Sequence, residues 1–493
     1  MPTNEALDRI SSPPPETVLA VSDLHLGVGQ DPATGVFSPL ENFFADEAFA
    51  RFLARHPPRR AGGSLLVLNG DSFDFDRIPQ IPRTDGDFAR WAALLARLGA
   101  PRTPEALRAS IVDVERSFGL RTDDYKSAWK MQRVIEGHPA FFAALATWVA
   151  QGGSLVVVKG NHDAEAYWPL VHEVLRGALR ERGAPAADVA ARVAFVDDSF
   201  TLGNLYVEHG HQREEMTSIV GGPLLPWDPT QLNLPLGSFV ARYFVNGLER
   251  MDPFLDNVKP TQQAVLAILR RRPLTFVRLY VNARRFVGRA LRSRSLRNKA
   301  VALVTAATLL LPIVTLALLA FFLFFPEKAA ALTSWLPGMG DGRVRVTGVL
   351  AGLFSPFLLP YLASAVSELA DEARVLFRRG PAPHPLEDVL EKVLAERLPV
   401  AMGHRRVYAV LGHTHEQGVH RLGPGGAARE EFYVNTGTWA PLWPRGRPDL
   451  MGRCLYTFLR FDQDLGGEYR HRALEWDDAA GEGRTARLLD LGA

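Results

Sequence analysis

Five short apolar runs, each ending in a cluster of Asp, Asn or His, constrain this chain more than any other feature. Thr17–Ser22 leads into Asp23 and His25, Ser64–Leu68 into Gly70-Asp71-Ser72-Phe73-Asp74, and Ser154–Val158 into Gly160-Asn161-His162-Asp163. Asn204–Val207 ends at Glu208-His209-Gly210-His211, and Arg406–Leu411 at Gly412-His413-Thr414-His415. Runs of this length and composition predict buried strands. Open α/β sheets bind ligands beyond the carboxyl ends of their strands. Five metal-type clusters at five strand ends therefore predict an α/β fold with one composite site. Phe432–Val434, leading into Asn435 to Trp439, and Leu455–Phe461 are the last strands expected. Residues 84–151 read as a helical insert, because Phe88, Trp91, Leu94, Leu95 and Leu98 recur at helical spacing; Gly152-Gly153 ends it.

The residue types narrow the chemistry. His413 and His415 share one face of an extended segment and can serve two adjacent metals. A two-metal site needs oxygen and imidazole donors and a carboxylate able to bridge. Asp, Asn and His supply them here without cysteine, which argues against a structural zinc site and for Mn, with Fe or Zn as the other candidates. The single Cys454 excludes an intramolecular disulfide and, in a strand-like pattern, reads as buried and inert. His138, before Pro139, and His384, between two prolines, read as structural; Trp439 reads as core or rim. A net charge of +2 over 493 residues exerts no global pull toward nucleic acid, so no nucleic-acid partner is expected.

In chain order the five clusters resemble the calcineurin-like metallophosphoesterase signature D-x-H, G-D-x-x-D, G-N-H-D, H and G-H-x-H. The resemblance covers about residues 1–215 and 400–493. It implies a β-sandwich flanked by helices, with two divalent ions in the site. Asp23, His25 and His415 would hold one ion, Asn161, His209 and His413 the other, and Asp71 would bridge them. The implied reaction is attack on phosphorus by a metal-activated hydroxide. His162 would steady the transition state or protonate the leaving oxygen, and Asp74 or Asp163 would orient a histidine. Asp74 reads equally as a turn or cap residue. His211 and Arg213 are candidates for contact with substrate phosphate, or caps of the next segment. Within the superfamily, Ser22 to Gly27 and Gly412 to His415 look most similar to the UDP-2,3-diacylglucosamine pyrophosphatases. Those enzymes typically carry Arg where this chain has His162.

The insertion between His209 and His413 reads as membrane-associated. Ala300 to Pro326 carries no charge. As a helix it would span roughly 40 Å at about 1.5 Å per residue, against a hydrocarbon core of about 30 Å; a buried soluble helix is the alternative. Thr347 to Ser367, also uncharged and broken by Pro356 and Pro360, is a second expected span or else a re-entrant or surface-lying segment. Both His209 and His413 must reach one site, so an even number of crossings is required. Arginines crowd Arg270 to Arg297 with no acid among them, placing the catalytic halves in the cytoplasm by the positive-inside rule. Phe276, Leu279, Tyr280, Phe286 and Leu291 interleave that run, which suits a helix lying on anionic lipid better than nucleic-acid binding. Leu386 to Glu396 reads as an amphipathic helix returning to the sheet.

The expected organisation is a first phosphoesterase segment (1–215), a basic helical insertion (216–298), a transmembrane hairpin (299–367), a returning helix (368–400) and a second phosphoesterase segment (401–493). The expected function is a multi-pass enzyme of the cytoplasmic membrane that hydrolyses a phosphoester or pyrophosphate bond, of a lipid-linked substrate by preference. A tethered general, nucleotide or protein phosphatase, and a non-enzymatic scaffold or sensor, are the alternatives.

Overall fold

The computed structural model describes residues 5–59, 62–214, 217–219, 221–235, 237–238, 241–242, 246, 404–422, 430–442 and 452–486. All fall within one unit, Met1–Leu266 together with Pro385–Leu491. The expected transmembrane hairpin, the basic run, the returning helix and His384 lie outside the described residues. Among the described residues no helix is long and apolar enough to cross a membrane.

The strands are β1 (Thr17–Val21), β2 (Ser64–Asn69), β3 (Ser154–Val158), β4 (Val193–Val196), β5 (Ser199–Leu202), β6 (Leu205–Glu208), β7 (Leu224–Leu225), β8 (Asp228–Leu232), β9 (Arg406–Leu411), β10 (Gly418–Leu422), β11 (Glu430–Asn435), β12 (Thr457–Gln463), β13 (Tyr469–Asp477) and β14 (Glu482–Thr485). One sheet runs β14-β13-β12-β1-β2-β3-β4 and another β10-β11-β9-β6-β5, with β7 and β8 as a separate hairpin. Both large sheets are mixed. Strands β1, β2, β3 and β4 pair in parallel, as do β6, β9 and β11, while β12, β13 and β14 at one end of the first sheet, and β5 and β10 at the edges of the second, pair antiparallel. The protein is thus a mixed α/β structure. Because the central strands of each sheet are parallel, their carboxyl ends gather at one edge.

The central strands read as unbroken apolar runs because both faces are covered. Val18, Ala20, Leu65, Val67, Val156 and Val158 share a core with Leu205, Val207, Tyr408, Val410 and Val434 of the second sheet. The alternate residues Leu19, Val21, Leu66, Leu68, Leu155 and Val157 join a second core with Phe49, Phe52, Trp91, Phe141, Phe142 and Leu175. These last six come from helices Asp46–Arg55, Asp85–Arg97, Pro139–Ala150 and Pro169–Glu181. The helix at 85–97 starts where a capping box forms: Thr84 accepts from the Asp87 N–H and Asp87 reaches back to the Thr84 N–H.

The insert expected over 84–151 is helical, as Asp85–Arg97, Pro104–Ser110, Glu115–Phe118, Asp124–Gly137 and Pro139–Ala150. Two expectations change. The run beginning at Leu455 is not the last strand, since β13 and β14 follow it. Their exposed polar residues interrupt the apolar run that marks a buried strand. Cys454 precedes β12 and is only partly buried; burial still pushes its thiol up to about 11, so it stays protonated.

Candidate metal centre

Each motif follows the carboxyl end of a strand: Asp23 and His25 after β1, Asp71 and Asp74 after β2, Asn161 and His162 after β3, His209 after β6, and His413 and His415 after β9. The loops are tight and strained. Among the described residues six non-glycine residues have positive φ, and five are Asp23, His25, Asp71, His413 and His415 (49° to 70°). Backbone held in this region costs about 1–3 kcal/mol per residue and clusters at functional sites. The motif glycines answer close approach. A Cβ on Gly70, whose φ is +81°, would press on the His209 ring, and one on Gly160 would meet the Asp71 carboxylate.

The side chains converge into groups that can hold metal ions: Asp23, His25 and His415; His25, Asp71 and His162; and Asp71, His209 and His413. Within each group the ligand atoms lie within 4.8 Å of one another. His25 joins the first group to the second, and Asp71, a carboxylate with two oxygens to offer, joins the second to the third.

In Asp23 and Asp71 one oxygen is held by the protein and the other is presented. Asp23 Oδ2 accepts from Ser22 Oγ and, at 3.0 Å, from the His413 N–H. Asp23 Oδ1 has no hydrogen-bond partner and faces His415 Nε2 at 3.3 Å and His25 Nε2 at 4.0 Å. Asp71 Oδ1 accepts from the His162 N–H at 2.8 Å, while Oδ2 lies 3.1 Å from His209 Nε2 without hydrogen-bond geometry. The His209 Nδ1–H donates to the Asn69 carbonyl at 2.8 Å, which leaves Nε2 for the centre. Asn161 Oδ1, buried, also has no partner. Buried polar atoms are rarely left unsatisfied. Among the orphaned atoms of the described residues, Asp23 Oδ1, Asn161 Oδ1 and His209 Nε2 are ligand-type atoms of the expected set. All donors are oxygen or imidazole, so the residues fit hard or borderline divalent ions.

Asp74 orients two rings at once. Its Oδ2 lies 3.3 Å from His25 Nδ1 and 3.0 Å from Arg77 Nε, and its Oδ1 lies 3.2 Å from His162 Nδ1. Burial would raise the Asp74 pKa, but His162, His25 and Arg77 outweigh it and hold the carboxyl far below the usual range. Conversely, burial would lower the His162 pKa, and the carboxylates of Asp74 and Asp71 instead raise it well above the ordinary histidine value. His209 behaves alike: Asp71 and Asp23 overcome burial and push it up to about 9.

Asp163 does not orient a histidine. Its carboxylate accepts from the Gly160 N–H and, at 2.9 Å, from the Ser72 N–H, tying the β2 and β3 loops together. Burial and the neighbouring Asp71 push it up to about 7. Arg213 turns from the centre to a bidentate pair with Glu208, at 2.9 and 3.0 Å. His211 is buried with its ring 5.5 Å from that of His209, and burial with that neighbour drives its pKa down to about 2. Trp439 is core, fully buried, with its indole N–H donating to the Thr457 carbonyl at 2.9 Å. His138 is buried between Asp46 (3.1 Å) and Glu41 (3.5 Å).

Other residues at the centre carry no motif signal. Glu214 Oε2 lies 2.7 Å from His413 Nε2, with Thr217 Oγ1 at 3.2 Å. Asp76, buried, places Oδ2 3.9 Å from His162 Nδ1. Ser22 joins Asp23 to Thr436 on the loop after β11. Comparison with known protein families yields no matching family, and comparison with curated proteins yields no relative.

Proposed function

We propose that this chain is a metal-dependent phosphoesterase of the calcineurin-like superfamily, built on its β-sandwich, with two divalent ions, Mn by preference, in the centre at the strand ends. The observation that carries the reading is a chain of three ligand groups linked through His25 and Asp71, together with the orphaned ligand atoms Asp23 Oδ1, Asn161 Oδ1 and His209 Nε2. Asp23, His25 and His415 would hold one ion, and Asn161, His209 and His413 the other, with Asp71 shared. When bound, the ions supply Lewis acidity and lower the pKa of a coordinated water.

The remaining chemistry belongs to the protein. Asp74 fixes His162 through Nδ1, so the transferable proton sits on Nε2. Burial would lower the His162 pKa, but the Asp74 and Asp71 carboxylates raise it, so the ring favours holding a proton that it can give to a leaving oxygen. Asp74 also fixes His25, and the Asn69 carbonyl fixes His209, so both rings present Nε2 to the centre.

The substrate we propose is lipid-linked, with the chain anchored in the cytoplasmic membrane and its catalytic centre facing the cytoplasm. Support for this part comes from the uncharged stretch 300–326 and the basic run before it. The test is hydrolysis of a chromogenic phosphodiester and of a lipid-linked UDP-sugar by the detergent-purified protein with added Mn, against His413→Ala. Loss of activity and of bound metal in the variant supports the reading; equal activity in the variant refutes it. Preference for the diester over the lipid would favour a tethered general phosphatase.

A further inference from the structure

The first part of the long insertion returns to the centre. Residues 237–238, 241–242 and 246 are helical, and Ser238, Arg242 and Asn246 stand four apart, the spacing of one helical face. All three polar side chains are buried, at 1%, 3% and 6% exposure. Each donates to a main-chain carbonyl of a different loop. Ser238 Oγ reaches the Asn161 carbonyl at 3.0 Å, Arg242 Nη2 the Gly119 carbonyl at 3.3 Å, and Asn246 Nδ2 the Asp76 carbonyl at 2.7 Å. Burying polar groups is costly unless they are bonded, so these three contacts specify where the segment sits.

The Ser238 bond bears on the chemistry. Its acceptor belongs to the peptide that joins Asn161, a candidate ligand, to His162, the candidate proton donor. The other end of that peptide, the His162 N–H, donates to Asp71 Oδ1 at 2.8 Å. A peptide unit is planar. Holding both its oxygen and its hydrogen removes its freedom to rotate, and so aims the Asn161 side chain and the His162 ring together. Without the hydroxyl only Asp71 would hold the peptide, and Asp71 is itself a candidate bridging ligand.

We infer that Ser238 is a positioning residue for the metal centre, through which the insertion sets the geometry of Asn161 and His162. Its effect on catalysis rests on the phosphoesterase reading; its effect on metal binding does not. The experiment uses the full chain in detergent as wild type, Ser238→Ala and Ser238→Thr. It measures Mn affinity by calorimetry, hydrolysis of bis(4-nitrophenyl) phosphate and the melting temperature. Ser238→Ala is expected to weaken Mn binding ~10-fold, as loss of a partner supporting a ligand does, and to lower kcat similarly with KM within about twofold. Ser238→Thr, which keeps the hydroxyl, is expected to recover most of both. Mn affinity and kcat within about twofold of wild type in the Ala variant would overturn the inference. So would a loss that Thr does not recover and that follows a fall in melting temperature, because that marks a purely structural role. If the wild type binds Mn but hydrolyses nothing, the proposed activity falls, and the three Mn affinities still decide the role of Ser238.

Discussion

Replacing Asp74 by Asn isolates the part of the site that belongs wholly to the protein. The carboxylate is fully buried and meets three donors: His25 Nδ1 at 3.3 Å and Arg77 Nε at 3.0 Å on one oxygen, and His162 Nδ1 at 3.2 Å on the other. An amide has one acceptor oxygen and one donor NH2, so one side must lose its acceptor. The less costly orientation keeps oxygen on His25 and Arg77 and turns NH2 to His162. His162 then accepts at Nδ1 and becomes neutral, a weaker acid. The expected loss in kcat is ~10²-fold, the lower range for a general acid. Arg77, also buried, keeps a hydrogen bond but loses the charge of Asp74. The stability loss is roughly 3 kcal/mol, the low end for breaking a buried pair. At about 2–4 °C per kcal/mol, that lowers Tm by roughly 6–12 °C. The sign of the pH effect follows from His162, whose pKa is raised in the fold by Asp74 against the pull of burial. Activity that needs its proton is lost as pH rises through that raised value, so the basic limb of the pH–kcat profile should move to lower pH in Asp74→Asn. Steady-state hydrolysis of a chromogenic diester across pH, with thermal melting alongside, reads all three effects. An unmoved basic limb with kcat within about threefold of wild type would refute the assignment of Asp74 and His162.

The remaining predictions concern the scaffold around the centre. Burial opposes the charge on His138, but Asp46 and Glu41 raise its pKa from 6.5 to about 9, so its contribution is present below 6.5 and lost as pH rises to about 9. That rise corresponds to roughly 3 kcal/mol as an upper bound, and His138→Gln should flatten the fall in Tm over that window. Lys130 and Glu165 form a fully buried ion pair. Lys130→Met alone should cost ~3–5 kcal/mol in denaturant melts, whereas Lys130→Met with Glu165→Leu should recover much of it. Gly160→Ala would press a methyl on the Asp71 carboxylate and main-chain nitrogen. It should weaken Mn binding at least ~10-fold in a calorimetric titration, and an unchanged affinity would show that the loop can move aside.

The sequence alone determined the inner strands and the candidate donor set, because both are local. A parallel strand covered on both faces must be an unbroken apolar run, as Ser154–Val158 is, and the candidate ligands sit in the few residues beyond it. The two-residue spacing of His413 and His415 and the Asn161-His162 pair are likewise written in the chain order. Strand β13 and the edge strand β14 were not legible, because their exposed polar residues break the apolar run. What only the tertiary structure decided is which partner each group meets. Asp74 and Asp163 look alike in sequence, yet Asp74 reaches two imidazoles while Asp163 is spent on the amides of Gly160 and Ser72. Arg213, close to His209 in the chain, is taken by Glu208, and Ser238, 77 residues beyond Asn161, closes onto its carbonyl. Such pairings depend on where loops from different strands converge, and a buried charge or amide bonds whichever complementary group the packed fold brings within about 3 Å.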